Sequence, residues 1–478
     1  MMLRSSPLSG LPALLALLAL QATAASSCAP TPSPGLGADL LVLGGSIVTM
    51  DPERRVLEDG GIAVLDGRIV DLGPAAELRQ RWRATETVHA GPRDLVIPGL
   101  INGHNHAAMT LMRGMADDLA LMEWLQSYIF PAEAETVDAE FVRAGTELAA
   151  LEMIRTGTTT FVDMYYFEDV VAQVVDETGL RAILGETVID FPVPDHATPE
   201  EALSYTAQFM ERWKDHPRII ATVAPHAPFT VAPEILQRCA ELAREHGVPI
   251  LIHLAETSDE VDQIQERYGL SPTSHLAGLG FLGPDVVAAH AVWLQDDDIE
   301  TLAANGVGVV HNPESNMKLA SGTMRIAALQ QAGVAVGIGT DGAASNNDLD
   351  LFSALLIAAL LQKHAAADPT VLPAASVIAM ATIEGARAIG LETEIGSLEL
   401  GKRADIVIVD GDAPNLVPRY SPYSHLVYAA HGSNVRATIV EGRVLYLDGE
   451  FRTLDPVAIR AAARTMARRV AAAVNWEE

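Results

Sequence analysis

Four short runs set imidazoles and carboxylates where a single ion can gather them. His104-Asn105-His106 follows the apolar run LVIPGLING. Side chains two apart on an extended strand share a face, so both rings can reach one centre. Such a pair alone fits a packed core as well as a metal, and its weight comes from partners downstream. His253 closes the run VPILIH, Glu256 follows three residues later, His290 closes VVAAH, and Asp341 closes VAVGIGTD. His104, His106, His253 and Asp341 make a nitrogen and oxygen donor set for one divalent ion. Zn2+ suits it best, while Fe2+ or Mn2+ would accept the same ligands. An ion of this kind brings the pKa of a bound water towards about 7. Glu256 is then placed to carry a proton from that water to a substrate nitrogen, and His290 to orient the attack.

The elements that must hold these groups follow from the texture around them. Between residues 99 and 395, strand-like runs alternate with helical patterns such as Ala139 to Arg155 and Pro233 to His246. Eight strands are predicted, ending near His104–His106 and at Thr159–Asp163, Ala182–Glu186, Ile219–His226, Pro249–Glu256, Val286–His290, Val307–His311 and Val334–Asp341. Eight such units make an α/β fold closed as a (β/α)8 TIM-like barrel, whose catalytic groups sit at the C-terminal ends of the strands. The candidate residues fall at those ends repeatedly. Residues 38–98 and 396–478 have another character: short β-rich runs, with hairpin signals at Gly44–Gly45 and Asp66–Gly67, then a final helix from about Pro456. The two flanks are expected to pair into one small β-sandwich.

The ordered set HxH, HxxE, His290 and Asp341 resembles the amidohydrolase superfamily. Within it, PGLINGHNHAAMTLMRGMADDLALMEWL, FVDMYYFEDV, HLAET, HNPESNMKLASG and GIGTDGAASNNDLDLF are similar to the methylthioadenosine/S-adenosylhomocysteine deaminases and related aminohydrolases and chlorohydrolases. The resemblance implies one metal on His104, His106, His253 and Asp341, with Glu256, His290 and Asp341 as the catalytic groups. No lysine ends the fourth strand in APHAPFT, so a carbamylated bridging lysine is excluded and the centre is mononuclear. The resemblance also implies substrate contacts: Trp124 as an aromatic wall, Glu133 on ribose hydroxyls, and His226 on a purine ring nitrogen. One departure stands out. No Lys or Arg lies between Arg181 and Arg212, and Glu186 stands about where relatives carry an arginine for an anionic tail. The expected activity is hydrolytic deamination of an adenosine- or 5′-methylthioadenosine-like compound. Removal of chloride or an alkylamine from a triazine-like ring would use the same groups. A catalytically inactive binding protein on this fold would be expected to have lost ligands, and all are present.

Composition narrows the partners. The chain has 478 residues, 49% apolar and 20% charged, which excludes a disordered protein. With 62 acidic against 32 basic residues, its net charge of −30 disfavours nucleic acid and anionic lipid. A small-molecule substrate and further copies of the chain in a homo-oligomer are the expected partners. Arg4, the apolar stretch Leu11 to Leu20 and the small residues Ala22, Ala24 and Ala25 form a signal-peptide pattern over residues 1–27. Cys28 follows in an imperfect lipoprotein box, and Pro30, Pro32 and Pro34 mark a tether over 28–37. The expected location is periplasmic, free or anchored through Cys28.

Overall fold

The computed structural model describes residues 35–473, so the expected leader, Cys28 and most of the tether lie outside the described residues. Leu36 and Gly37, expected in the tether, already belong to the strand Leu36–Leu43.

Eight parallel strands follow one another in chain order around a single sheet: Leu100–Asn105, Thr158–Tyr165, Arg181–Val188, Ile219–Pro225, Ile250–Leu254, Val286–His290, Gly308–His311 and Val336–Ile338. Each matches a strand expected from the sequence. Every residue of the second and third is buried, as it must be when helices cover one face and a packed interior the other. Ile101, Val162, Ile183, Leu251, Val287 and Val310 fill the interior from six of the strands. The Asp341 N–H donates to the His104 carbonyl at 3.0 Å, and Asn102 bonds both the hydroxyl (2.7 Å) and the N–H (3.0 Å) of Thr340. Those bonds draw the last strand against the first and nearly close the barrel.

The flanks form two sheets around a shared apolar core that includes Val42, Ile62, Val96, Ile406 and Ile439. One, of four strands, comes wholly from the N-terminal flank. The other, of seven, joins both flanks, with Leu95–Pro98 paired antiparallel to Ile406–Val409 and parallel to Ser46–Val48. Asp66 and Gly67, both at positive φ, turn the hairpin between Gly60–Leu65 and Arg68–Pro74 as expected. Gly44–Gly45 makes no such hairpin. At φ 100° and 72° it carries the chain from the four-stranded sheet into the seven-stranded one. A Cβ on Gly44 would stand 2.4 Å from the Ala90 carbonyl oxygen. The final helix, Pro456–Ala473, was expected with the flank. It buries the stripe Ile459, Ala463, Met466 and Val470 and packs on the barrel helix Ala139–Thr156.

Arg181, at the start of the third barrel strand, joins flank to barrel. Its guanidinium reaches Asp405 and Glu441, with all contacts at 3.3–3.4 Å and the Arg181 and Asp405 side chains 7% and 4% exposed. Arg181→Ala strands a buried carboxylate and should cost about 3 kcal/mol. An unchanged urea midpoint would show that the pair contributes nothing to the junction.

Candidate active site

His104 is the penultimate residue of the first barrel strand and His106 lies just past its end, yet their rings sit 4.8 Å apart, edge to face. A register irregularity between Asn102 and Asn105 re-aims the strand end, as bulges beside active sites do. His104 Nε2 and His106 Nε2 approach Asp341 Oδ1 at 3.5 and 3.3 Å, and His253 Nε2 lies 3.4 Å from His106 Nε2. All four side chains are buried or nearly so. His104 Nε2 has no hydrogen-bond partner.

The opposite nitrogens explain that aim. His106 Nδ1 donates to the Met164 carbonyl at 2.6 Å, and His253 Nδ1 to the His226 carbonyl at 2.7 Å. With Nδ1 spoken for, Nε2 is the lone-pair nitrogen turned inward, the arrangement that fixes metal-binding tautomers. Burial lowers the basicity of His104 to about 4. Burial opposes a charge on His106 too, but Asp341 overrides it and raises that imidazole to about 9. Burial opposes the charge of Asp341 itself, but its close contacts with both histidines hold it well below the ordinary carboxylate range. A carboxylate that recruits a proton onto a buried imidazole is short of positive charge, and a divalent cation on three nitrogens and one oxygen supplies it. The donor set fits such an ion.

His290 and Glu256 stand beside this centre. His290 Nε2 is 3.7 Å from Glu256 Oε2 and 3.9 Å from Asp341 Oδ2, while its Nδ1 meets Asn316 Oδ1 at 2.8 Å. His104, His253 and His290 also fall within 4.8 Å of one another, so His290 can approach the ion as well as the carboxylate. His290 and Asp341 both have positive φ, 71° and 64°, conformations retained at sites where surrounding contacts dictate them. Burial raises the Glu256 carboxyl, with His290 acting against it, a shift that suits a group trading protons.

His106, His253, Glu256, His290 and Asp341 floor a cavity. Trp124, Glu133 and His226 line it. The first two come from consecutive helical segments spanning Leu121–Thr136, interrupted by a π turn at Leu125–Ile129. Glu133 accepts from the Tyr165 hydroxyl at 2.7 Å, and burial lifts its pKa to about 7. His226 faces the Thr230 hydroxyl with Nδ1 at 3.0 Å, and burial keeps the ring neutral, with a pKa of about 3. Glu186 is the exception. It is fully buried, its Oε2 accepts the Glu168 N–H at 3.0 Å, and it is not among the cavity-lining residues. Its strand position is interior, so it faces neighbouring side chains instead of substrate.

Four supporting residues escaped the sequence reading. Glu260 accepts the N–H groups of Ala255 (2.8 Å) and Glu256 (2.9 Å), fixing the turn that presents Glu256. Asn316 orients His290, Ser321 donates to Glu256 at 3.4 Å, and Tyr165 holds Glu133. Asn316 and Ser321 lie within HNPESNMKLASG, and Glu260 follows Glu256 by one helical turn. Polar residues at those spacings were the available signal.

His253→Ala should remove one equivalent of divalent metal per chain, measured by elemental analysis after dialysis, together with activity. Retention of both would strike His253 from the ligand set.

The amidohydrolase family profile matches residues 95–445, and a bacterial imidazolonepropionase-like composite domain matches residues 60–84. A 5-methylthioadenosine/S-adenosylhomocysteine deaminase of Syntrophobacter fumaroxidans is 49% identical, covering 91% of this chain and 98% of that protein. A 5′-deoxyadenosine deaminase of Methanosarcina mazei is 44% identical over 92% of this chain and all of that protein. The crystal structure of an adenosine deaminase from Xanthomonas campestris, with bound zinc, superposes with a TM-score of 0.90 at 42% identity, covering 92% of this chain and 100% of that one. The profile runs from the strand before His104 through the whole barrel and into the C-terminal flank, and by that extent and these identities the chain belongs to the amidohydrolase family.

Proposed function

We propose that the protein is a metal-dependent hydrolytic deaminase of adenine-type nucleosides, releasing ammonia, with an uncharged 5′ substituent preferred. The observation that carries this reading is one cavity holding both a proton-transfer pair beside a metal donor set and a buried carboxylate in need of donors. Glu256 and His290 serve the reacting end. Glu133 accepts from the Tyr165 hydroxyl and has the Tyr166 hydroxyl beside it, and a ribose diol would bring two more donors. His226 offers a ring nitrogen to the purine edge, and Trp124 an apolar wall. The named activities of the relatives support the same substrate class.

When bound, a divalent cation supplies Lewis-acid charge and a water activated at neutral pH. Glu256 takes a proton from the attacking water and delivers it to the ring nitrogen next to the amino-bearing carbon. His290, held by Asn316, orients that water and shares the remaining proton with Glu256. A carbon–oxygen bond forms, the amino nitrogen gains a proton, the carbon–nitrogen bond breaks, and ammonia leaves. Glu256→Gln should keep its metal and lose about 10²-fold or more in turnover. Near-normal turnover would remove Glu256 from proton transfer, and chloride release without ammonia would favour the dechlorinating alternative.

Preference for an uncharged tail rests on the cavity lining, which contains no Lys or Arg, and not on Glu186. A missing charge-assisted clamp is worth on the order of 2 kcal/mol, or roughly thirty-fold. kcat/KM for 5′-methylthioadenosine should therefore exceed that for S-adenosylhomocysteine by at least about tenfold. A reversed preference abolished by Arg267→Ala would trace the missing charge to the adjoining groove, where Arg267 lies beside Asp190 and Phe229.

A further inference from the structure

Beside the cavity, but outside its lining, five ionisable side chains are packed together at the ends of the second and third barrel strands: Asp163, Glu168, Glu186, Asp195 and His196. Their arrangement is directional. Asp195 Oδ2 accepts the Phe167 N–H at 2.7 Å, and Glu186 Oε2 accepts the Glu168 N–H at 3.0 Å. Among the described residues, the other oxygen of each, Asp195 Oδ1 and Glu186 Oε1, has no donor, and neither has His196 Nδ1 a hydrogen-bond partner. These three free atoms converge. His196 Nδ1 is 2.9 Å from Asp195 Oδ1 and 3.9 Å from Glu186 Oε1, without the alignment of a hydrogen bond, and all three lie within 4.8 Å of one another. The side chains are 0% (Glu186), 5% (Asp195) and 8% (His196) exposed.

The charge balance also asks for a cation. Both oxygens of Glu168 and Oδ2 of Asp163 lack donors as well. Among the described residues no lysine or arginine forms an ion pair with any of the four carboxyl groups. Burial raises Glu186 and Glu168 well above the carboxylate range, and the neighbouring carboxyls raise them further. Buried carboxylates persist only when paired, protonated or bound to metal.

We propose that Glu186 Oε1, Asp195 Oδ1 and His196 Nδ1 bind a second divalent cation, separate from the catalytic centre. One imidazole with two carboxylates selects a transition metal such as Zn2+ or Mn2+ over Ca2+ or Mg2+. The backbone N–H groups of Phe167 and Glu168 act as the outer shell, turning one oxygen of each carboxylate away and the other inward. Such an ion would tie residues 189–198, the connection after the third strand, to the turn following Tyr165 and Tyr166, which line the cavity. Its role is structural, and no step of deamination passes through it.

The test counts metal in the full-length protein after dialysis and loading with Mn2+ or Zn2+. The native chain should hold two equivalents, His253→Ala one, and Asp195→Asn/His196→Gln one. In His253→Ala, where only the second centre is left, added Mn2+ should raise the unfolding midpoint by at least about 2 °C. If the double variant fails to fold, the count and shift in His253→Ala decide alone, because they leave the cluster intact. One equivalent in the native chain and none in His253→Ala would overturn the proposal and leave the cluster to shared protons. Failure to release ammonia from any nucleoside would not alter these counts.

Discussion

The amide of Asp341 donates to the carbonyl of His104, and around that 3.0 Å bond the barrel and the metal centre are the same object. It links the segment just past the eighth strand to the end of the first, so Asp341 and His104 cannot separate. The same two residues carry ligand atoms. Asp341 reaches this position only at φ 64°, and Gly339 just before it has no room for a side chain, since a Cβ would stand 2.8 Å from the His104 nitrogen. Ligand geometry here is therefore a property of backbone closure, and loosening the last strand would scatter the donors before it unfolded the barrel.

Carboxylates are handled in this acidic protein by location. Those of the flank meet arginines, as Asp405 and Glu441 meet Arg181. Around the cavity the compensating groups are imidazoles, hydroxyls and backbone N–H groups: Asp341 is served by histidines, Glu133 by Tyr165, and Glu260 by two amides. Leaving guanidinium groups out of the lining keeps the cavity free of a fixed positive charge that would compete with a bound cation for the same carboxylates.

The barrel strands and the ligand set were legible because both depend on local pattern. The strands that carry ligands read as apolar runs, and His104, His253 and Asp341 each follow or close one. Less legible were features set by long-range packing. Gly44–Gly45 carries a hairpin signature, but the two strands it joins find partners in different sheets. Trp82–His89 has only Trp82, Ala84 and Val88 as apolar residues, too few to announce a strand, and becomes one by pairing with Leu36–Leu43. Glu186 sits about where the family resemblance implies a substrate contact, and only its packing against His196 and Glu168 reveals that it points away from the cavity. Glu260 and Asn316 are ordinary polar residues until their partners are known.

The seven-stranded sheet has a consequence for how the protein is made. Leu95–Pro98 lies inside that sheet, yet its partner Ile406–Val409 is translated only after the entire barrel. Until then a Leu-Val-Ile strand offers one unsatisfied edge, the kind of surface on which chains join to each other. Non-local pairing of this sort is also slow. The barrel must then assemble with its N-terminal neighbour half-built, and a ribosome that stalls before residue 406 releases a chain with an adhesive edge rather than a smaller functioning enzyme.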